Sequence, residues 1–146
     1  RQHRPQRGVV AQHLGAFLRY DTTLGPMLSE LAILVTARVW TSQYEWYAHE
    51  KEARRAGIDP AVIDAIAHRR APALTDPRAQ AVYDYATELH ATRTVSAAVH
   101  QAALAALGET SVVELVGVLG YYTLVAMTLN AFEIGVPEGE TPGLPA

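Results

Sequence analysis

Apolar residues recur along this chain three and four positions apart, and no stretch alternates apolar with polar in the manner of a half-buried strand. The spacing predicts a first helix over 8–20, with Val9, Val10, Leu14, Phe17 and Leu18 on one side. Gly25-Pro26 interrupts the pattern, and proline suits the first turn of a following helix. That second helix, about 27–40, is apolar on nearly every side: Leu28, Leu31, Ile33, Leu34, Val35, Val39 and Trp40. Thr41-Ser42 breaks it. A third helix follows over 42–56, with Gly57 where a C-terminal cap belongs. Asp59-Pro60 opens a short helix to about Arg69, residues 71–75 form a linker, and Asp76-Pro77 opens a helix to about Ala91. A sixth helix starts at Ser96 and is stopped by Gly108, and a seventh, 111–132, is almost wholly apolar.

These elements predict an all-α bundle of about six to seven helices with short loops and antiparallel neighbours. Its centre is the hairpin made by 27–40 and 42–56. A rise of roughly 1.5 Å per residue puts Glu30 about 16 Å from the bend and His49 about 12 Å from it. The two side chains therefore stand at nearly the same level, with Glu45 one turn nearer the bend. The seventh helix is long enough to cross a membrane. Glu114, Asn130, the paired Tyr121-Tyr122 and the lack of basic flanks argue instead for a core or interface helix, so no membrane partner is expected.

Composition narrows the picture. A chain of 146 residues is one domain by length, and it buries roughly 70% of its unfolded surface without staples. The organisation expected is a basic flexible arm over 1–7, a helical domain over 8–136 and a flexible Pro- and Gly-rich tail over 137–146. An apolar fraction of 49% against 18% charged points to subunit interfaces. Net charge is −3 with no basic block after residue 7, which argues against nucleic acid as a partner. There is no cysteine, so disulfides, thiolate catalysis and cysteine-bound zinc are excluded. No export signal is visible and the cytoplasm is the default, although a chain that does not begin with Met leaves room for an upstream piece.

The candidate chemistry lies in the hairpin. Glu45 and His49 are four residues apart, which on a helix places them on one face within reach of each other. A carboxylate and an imidazole so placed can exchange protons near neutral pH, where an imidazole of ordinary pKa ~6.5 titrates. Glu30 is a lone acid in an apolar helix, a candidate second acid or base. Blander roles stand beside these. Glu30 is close enough to the helix start to be a dipole-favoured glutamate. Glu45 completes a Ser42-x-x-Glu45 capping box. For His49, which is harder to dismiss, the plain role is a satisfied core or surface histidine. Two carboxylates and an imidazole are a conceivable metal set, but Glu-x-x-His does not occur twice and His-Glu-x-x-His fails, so no metal is expected. Tyr122 and Asn130, polar groups in a helix that should be buried, are substrate-binding candidates, with Tyr121 beside them. Trp46 and Ser42 on the Glu45 helix join that set, and Arg38 is a carboxylate anchor or a surface residue. His90, near a helix end, complements the dipole there. No phosphate loop, nucleophile elbow or dinucleotide fingerprint occurs, and no cofactor is expected.

Several of these runs together resemble the carboxymuconolactone decarboxylase family, whose fold is shared with the alkylhydroperoxidase D proteins. They are Leu28-Ser29-Glu30-Leu31-Ala32-Ile33-Leu34, Tyr44-Glu45-Trp46-Tyr47-Ala48-His49, Ala53, Gly57-Ile58, Ala79-Val82-Tyr83-Ala86-Leu89 and the segment from Gly120-Tyr121-Tyr122 to Leu129-Asn130. The resemblance covers about residues 8–136. The peroxidase branch carries Cys-x-x-Cys and a histidine four residues on. Its cysteines would fall at Ser42 and Glu45, so thiol peroxidase activity is unavailable here, while Glu30 and His49 match that branch's proton-relay pair. The decarboxylase branch needs no thiol and carries a glutamate four before its histidine, as Glu45 does.

The resemblance implies a cofactor-free enzyme assembling as homotrimers or homohexamers, with sites near subunit contacts. The function expected is a lyase acting on a small carboxylated lactone or related carbonyl compound. His49 would be proton donor, Glu45 its polariser and Glu30 a second acid or base. A related-fold isomerase or dehydratase in a biosynthetic pathway, and a non-catalytic oligomeric binding protein, are the alternatives.

Overall fold

The structure is a computed structural model that describes residues 7–145, with side chains from His13 onward. Most of the basic arm read from the sequence therefore lies outside the described residues. Seven helices follow one another: α1 Arg7–Tyr20, α2 Gly25–Trp40, α3 Gln43–Arg55, α4 Pro60–Ala67, α5 Pro77–Thr92, α6 Ala97–Leu107 and α7 Glu109–Ala131. No strand occurs among the described residues.

The chain is organised around α2, which packs against α1, α3, α4, α5 and α7. A helix apolar on all sides must be enclosed on all sides, and every residue from Leu28 to Arg38 is buried. That enclosure also takes in four polar side chains, Ser29, Glu30, Thr36 and Arg38. Two of them have structural explanations. Thr36 Oγ1 donates back to the Ala32 carbonyl and also meets His90 Nε2 at 3.0 Å. Ser29 Oγ lies 3.5 Å from Thr22 Oγ1. Glu30 and Arg38 are not disposed of in this way.

Local sequence sets the element ends. Pro26 lies in the first turn of α2, and Asp59 and Asp76 cap α4 and α5 by accepting from Ala61 N–H and Arg78 N–H. The α2–α3 bend is only Thr41 and Ser42. Thr41 takes the left-handed conformation at φ 48°, and Ser42 N–H closes the turn on the Ala37 carbonyl at 2.9 Å. Thr23 ties the α1–α2 turn to α7: its N–H donates to Glu114 at 2.7 Å, and its hydroxyl meets Ser111 Oγ at 2.6 Å.

The apolar α7 is, by length and composition, the one helix among the described residues that could cross a membrane; a third of its most apolar window is buried in this chain. It lies along α2 with Leu115, Val118, Leu119, Tyr122 and Ala126 inward, while Val113, Val116, Leu124 and Met127 are exposed. The segment after Pro137 is non-helical, as its composition dictates, but it does not leave the surface as a free tail. Leu144 is buried against the core, and Gln43 brackets it: Gln43 Nε2 donates to the Leu144 carbonyl at 2.8 Å and Leu144 N–H donates to Gln43 Oε1 at 3.1 Å. Burial of one leucine and two hydrogen bonds outweigh the flexibility that Pro and Gly confer on the segment.

Candidate active site

The hairpin register places Glu30 of α2 and His49 of α3 side by side. His49 Nδ1 lies 2.8 Å from Glu30 Oε2, with both residues buried. With Glu30 as a carboxylate, which only accepts, the imidazole donates from Nδ1, and Nε2 is the ring position left to take up or give a proton. Glu30 is not in the first turn of α2, where a dipole role would require it. The partner of His49 is thus Glu30, and no hydrogen bond joins His49 to Glu45, which reverses the pairing expected from the four-residue spacing.

Glu45 is the more unusual group. It is 1% exposed, and neither carboxyl oxygen has a hydrogen-bond partner among the described residues. Ser42, the N-cap of α3, makes no side-chain cap bond, and its own hydroxyl is buried without a partner. The capping box suggested by the sequence is therefore not formed. Burial alone pushes the Glu45 carboxyl up to about 8, so it holds its proton at neutral pH. A buried unpaired carboxyl of this kind is costly to folding, and such groups cluster at functional sites.

Tyr122 of α7 closes the other side of the imidazole. Its ring meets His49 edge-on at 4.9 Å between centroids, and Tyr121 meets Tyr122 edge-on at 5.2 Å. Burial raises the Tyr122 phenol well above its usual value, keeping it a neutral donor. Two clefts of about 280 Å³ each flank this stack. Glu30 lines one, with Arg55 and Glu52; Tyr122 lines the other, with Tyr121 and Gly15. Arg19 and Tyr20, in the last turn of α1, form a wall of both. Neither His49 nor Glu45 lines either cleft: Glu30, bonded to His49, borders one, and Tyr122, packed on the imidazole, borders the other. A separate cavity of about 220 Å³ beside Met27, Leu31 and Val62 has only Asp59 and Asp76 as acids, and both are occupied as helix caps.

An all-helical fold built on this hairpin, and a match of the carboxymuconolactone decarboxylase family model to residues 9–88, more than half of the chain, settle the family. The chain belongs to the carboxymuconolactone decarboxylase family. Two solved structures share its fold. One is a protein of unknown function from Agrobacterium tumefaciens whose description links it to the antioxidant defence protein AhpD, with a TM-score of 0.80, 15% identity and 92% of each chain covered. The other is an uncharacterised peroxidase-related protein from Silicibacter sp. TM1040, with a TM-score of 0.77, 16% identity, and 93% of this chain and 72% of that one covered. The comparison with curated proteins finds no match. This member of the family has no cysteine, so the peroxidase label of its structural neighbour carries no thiol chemistry over to it.

Other expected site residues are placed elsewhere. Asn130 Nδ2 donates to the Trp40 carbonyl at 2.8 Å, fastening α7 to the end of α2 well away from His49. Arg38 lies eight residues beyond Glu30, at the opposite end of α2, in a different pocket. Trp46 is 1% exposed and lines neither cleft; its indole is what Gly143 packs against. Ser42 is fully buried. His90 is half-buried and bonded to Thr36, and burial lowers its pKa, so it is not the helix-end cation the sequence suggested. Arg19 was not legible as a site residue. In the sequence it is a helix-end cation, and only the packing of α1 across α2 and α7 brings it to the clefts. Among the described residues no cluster of three or more His, Asp or Glu is arranged to hold a metal ion.

Proposed function

We propose that this protein is a cofactor-independent acid–base enzyme, a lyase acting on a small carboxylated lactone or related carbonyl compound. The observation that carries this reading is the buried Glu30–His49 pair, with a protonated, unpartnered Glu45 one turn along the same helix face. In decarboxylation of a γ-carboxylated butenolide, the bond from ring carbon to carboxylate breaks and CO₂ leaves. The electron pair flows into the unsaturated lactone as a dienolate, and carbon is then reprotonated by the enzyme, which regains that proton from water.

Arg19, which has no carboxylate partner among the described residues, takes the substrate carboxylate at the cleft wall, the role the sequence suggested for Arg38. Glu30 fixes the imidazole and His49 delivers the proton. Glu45 reloads it, since burial keeps a proton on Glu45 up to about pH 8. The Tyr122 hydroxyl, neutral for the same reason, hydrogen-bonds the developing enolate oxygen. Assembly as a homotrimer or homohexamer belongs to the same proposal and is supported by the exposed apolar side chains of α1 and α7.

The test is CO₂ release from a γ-carboxylated butenolide by the wild type and by His49→Ala. A positioned acid–base group supplies about 10²–10⁴-fold, and the variant should lose at least the lower figure. Equal turnover would remove His49 from the mechanism. Conversion of the same substrate without loss of CO₂ would favour an isomerase or dehydratase on the same residues.

A further inference from the structure

Arg38 is the other charged side chain that α2 carries into the core, and it is only partly satisfied there. It is 6% exposed, and its Nε is buried with no hydrogen-bond partner. One terminal nitrogen donates to Thr41 Oγ1 at 3.1 Å, and Arg69 Nη2 donates to the same hydroxyl at 3.3 Å. Arg38, Arg69 and Arg70 all line a pocket of about 160 Å³, together with Val39, Tyr83 and Thr87. That volume is roughly ten times what one water needs.

Charge in this pocket is out of balance. Of the three guanidinium groups, only Arg70 has a carboxylate, Asp64, which also meets His68. Neither Arg38 nor Arg69 has one among the described residues. The C-terminal ends of α2 and α4 lie here, but each offers only about half a negative charge, which leaves an excess of about one positive charge. Burial first, and the neighbouring Arg69 second, hold the Arg38 pKa below its ordinary value. Thr41 and Arg69 both sit in the left-handed region, at φ 48° and 56°, which a β-branched or long side chain seldom adopts. Both conformations end helices at the pocket: Ser42 N–H closes on the Ala37 carbonyl after α2, and Arg70 N–H on the Ala65 carbonyl after α4.

We propose that this pocket is a second binding site, for a small organic oxyanion, a phosphate monoester or a carboxylate with an apolar or aromatic body. The guanidinium groups of Arg38 and Arg69 would hold the charged head, since guanidinium forks match both head groups. Val39 and the Tyr83 ring would flank the body. The site is distinct from the Glu30–His49 clefts. No residue lines both, and Arg38 is about 12 Å along α2 from Glu30 by helix rise. A molecule bound here is an effector, or a second ligand, rather than the reacting substrate.

The experiment is calorimetric titration of the full chain with phenyl phosphate and, separately, with benzoate, repeated on Arg69→Asn and on His49→Gln. Asparagine tolerates the left-handed backbone better than arginine, so Arg69→Asn should fold, and Arg70→Ser serves as a second variant. At least one probe should bind with a Kd below about 1 mM. The stronger probe identifies the head group. Arg69→Asn should weaken binding about tenfold or more, and His49→Gln should leave it unchanged. A bound probe should also raise the melting temperature of the wild type but not of Arg69→Asn. Absence of saturable binding by either probe, or binding indifferent to Arg69, would overturn the site. So would loss of binding in His49→Gln, which would assign the anion to the clefts at α1. A shift in oligomeric state on Arg69→Asn, with no probe bound, would assign the arginines to a carboxylate on a second copy.

Discussion

Glu45 shows how much a single buried side chain can weigh on folding. An unfolded carboxyl titrates near 4.5, and in the fold this one is pushed up to about 8. Between those values the folded chain holds a proton that the unfolded chain has released. Stability must therefore fall as pH rises from about 4.5 to about 8, by at most about 1.4 kcal/mol per pH unit, and level off above. Glu45→Gln removes the ionisable group. Its urea midpoint should exceed that of the wild type at pH 8, by on the order of a few kcal/mol in stability, and the two should converge near pH 4.5. Turnover should fall in the same variant, and the wild-type rate should decline as pH rises through about 8, because the acid form is lost. Parallel pH slopes in the two proteins would show that some other group sets the dependence. The residue types at 30, 45 and 49 were legible in the sequence because their spacing is fixed by helix geometry. Their pairing was not. Which acid meets the imidazole depends on how α2 and α3 rotate about their axes, and a sequence does not state that rotation.

At the scale of the element, the helices were legible to within a few residues because proline, aspartate and glycine mark their ends. The segment after α7 was not. Its Pro and Gly content reads as freedom, yet Gln43 binds Leu144 through both its amide oxygen and its amide nitrogen, and Leu144 enters the core. Leu144→Ala should cost about 2 kcal/mol, the low end for a buried leucine because the segment can fray. It should also raise the exposure of Trp46, since Gly143 covers the indole; a Cβ there would stand 2.8 Å from Trp46 Cδ1. Denaturant unfolding and tryptophan emission read both effects. An unchanged midpoint with unchanged emission would mean that the segment does not hold α3.

For the whole molecule, the exposed apolar side chains matter most. Phe17 on α1 and Val113, Val116, Leu124 and Met127 on α7 remain at the surface of the single chain, with Phe132 just beyond α7. These side chains are the observation on which the proposed assembly rests. Sedimentation equilibrium should return three or six copies, and Val116→Asp should shift the distribution toward the monomer while the helical content is kept. A wild type that sediments as one copy would refute the assembly.

Helix number, helix order and the enclosed second helix follow from the chain's own periodicity, because backbone hydrogen bonds are local and an all-apolar helix has to be surrounded. The residue types capable of proton transfer follow too, since spacing along a helix is geometry. Partnership does not. Arg19 reached the clefts, Arg38 joined Arg69 at the far end of α2, and Asn130 became a fastening, all through contacts between segments remote in the chain. Side-chain direction and desolvation arise only when those segments meet, and they set both which groups touch and which hold a proton.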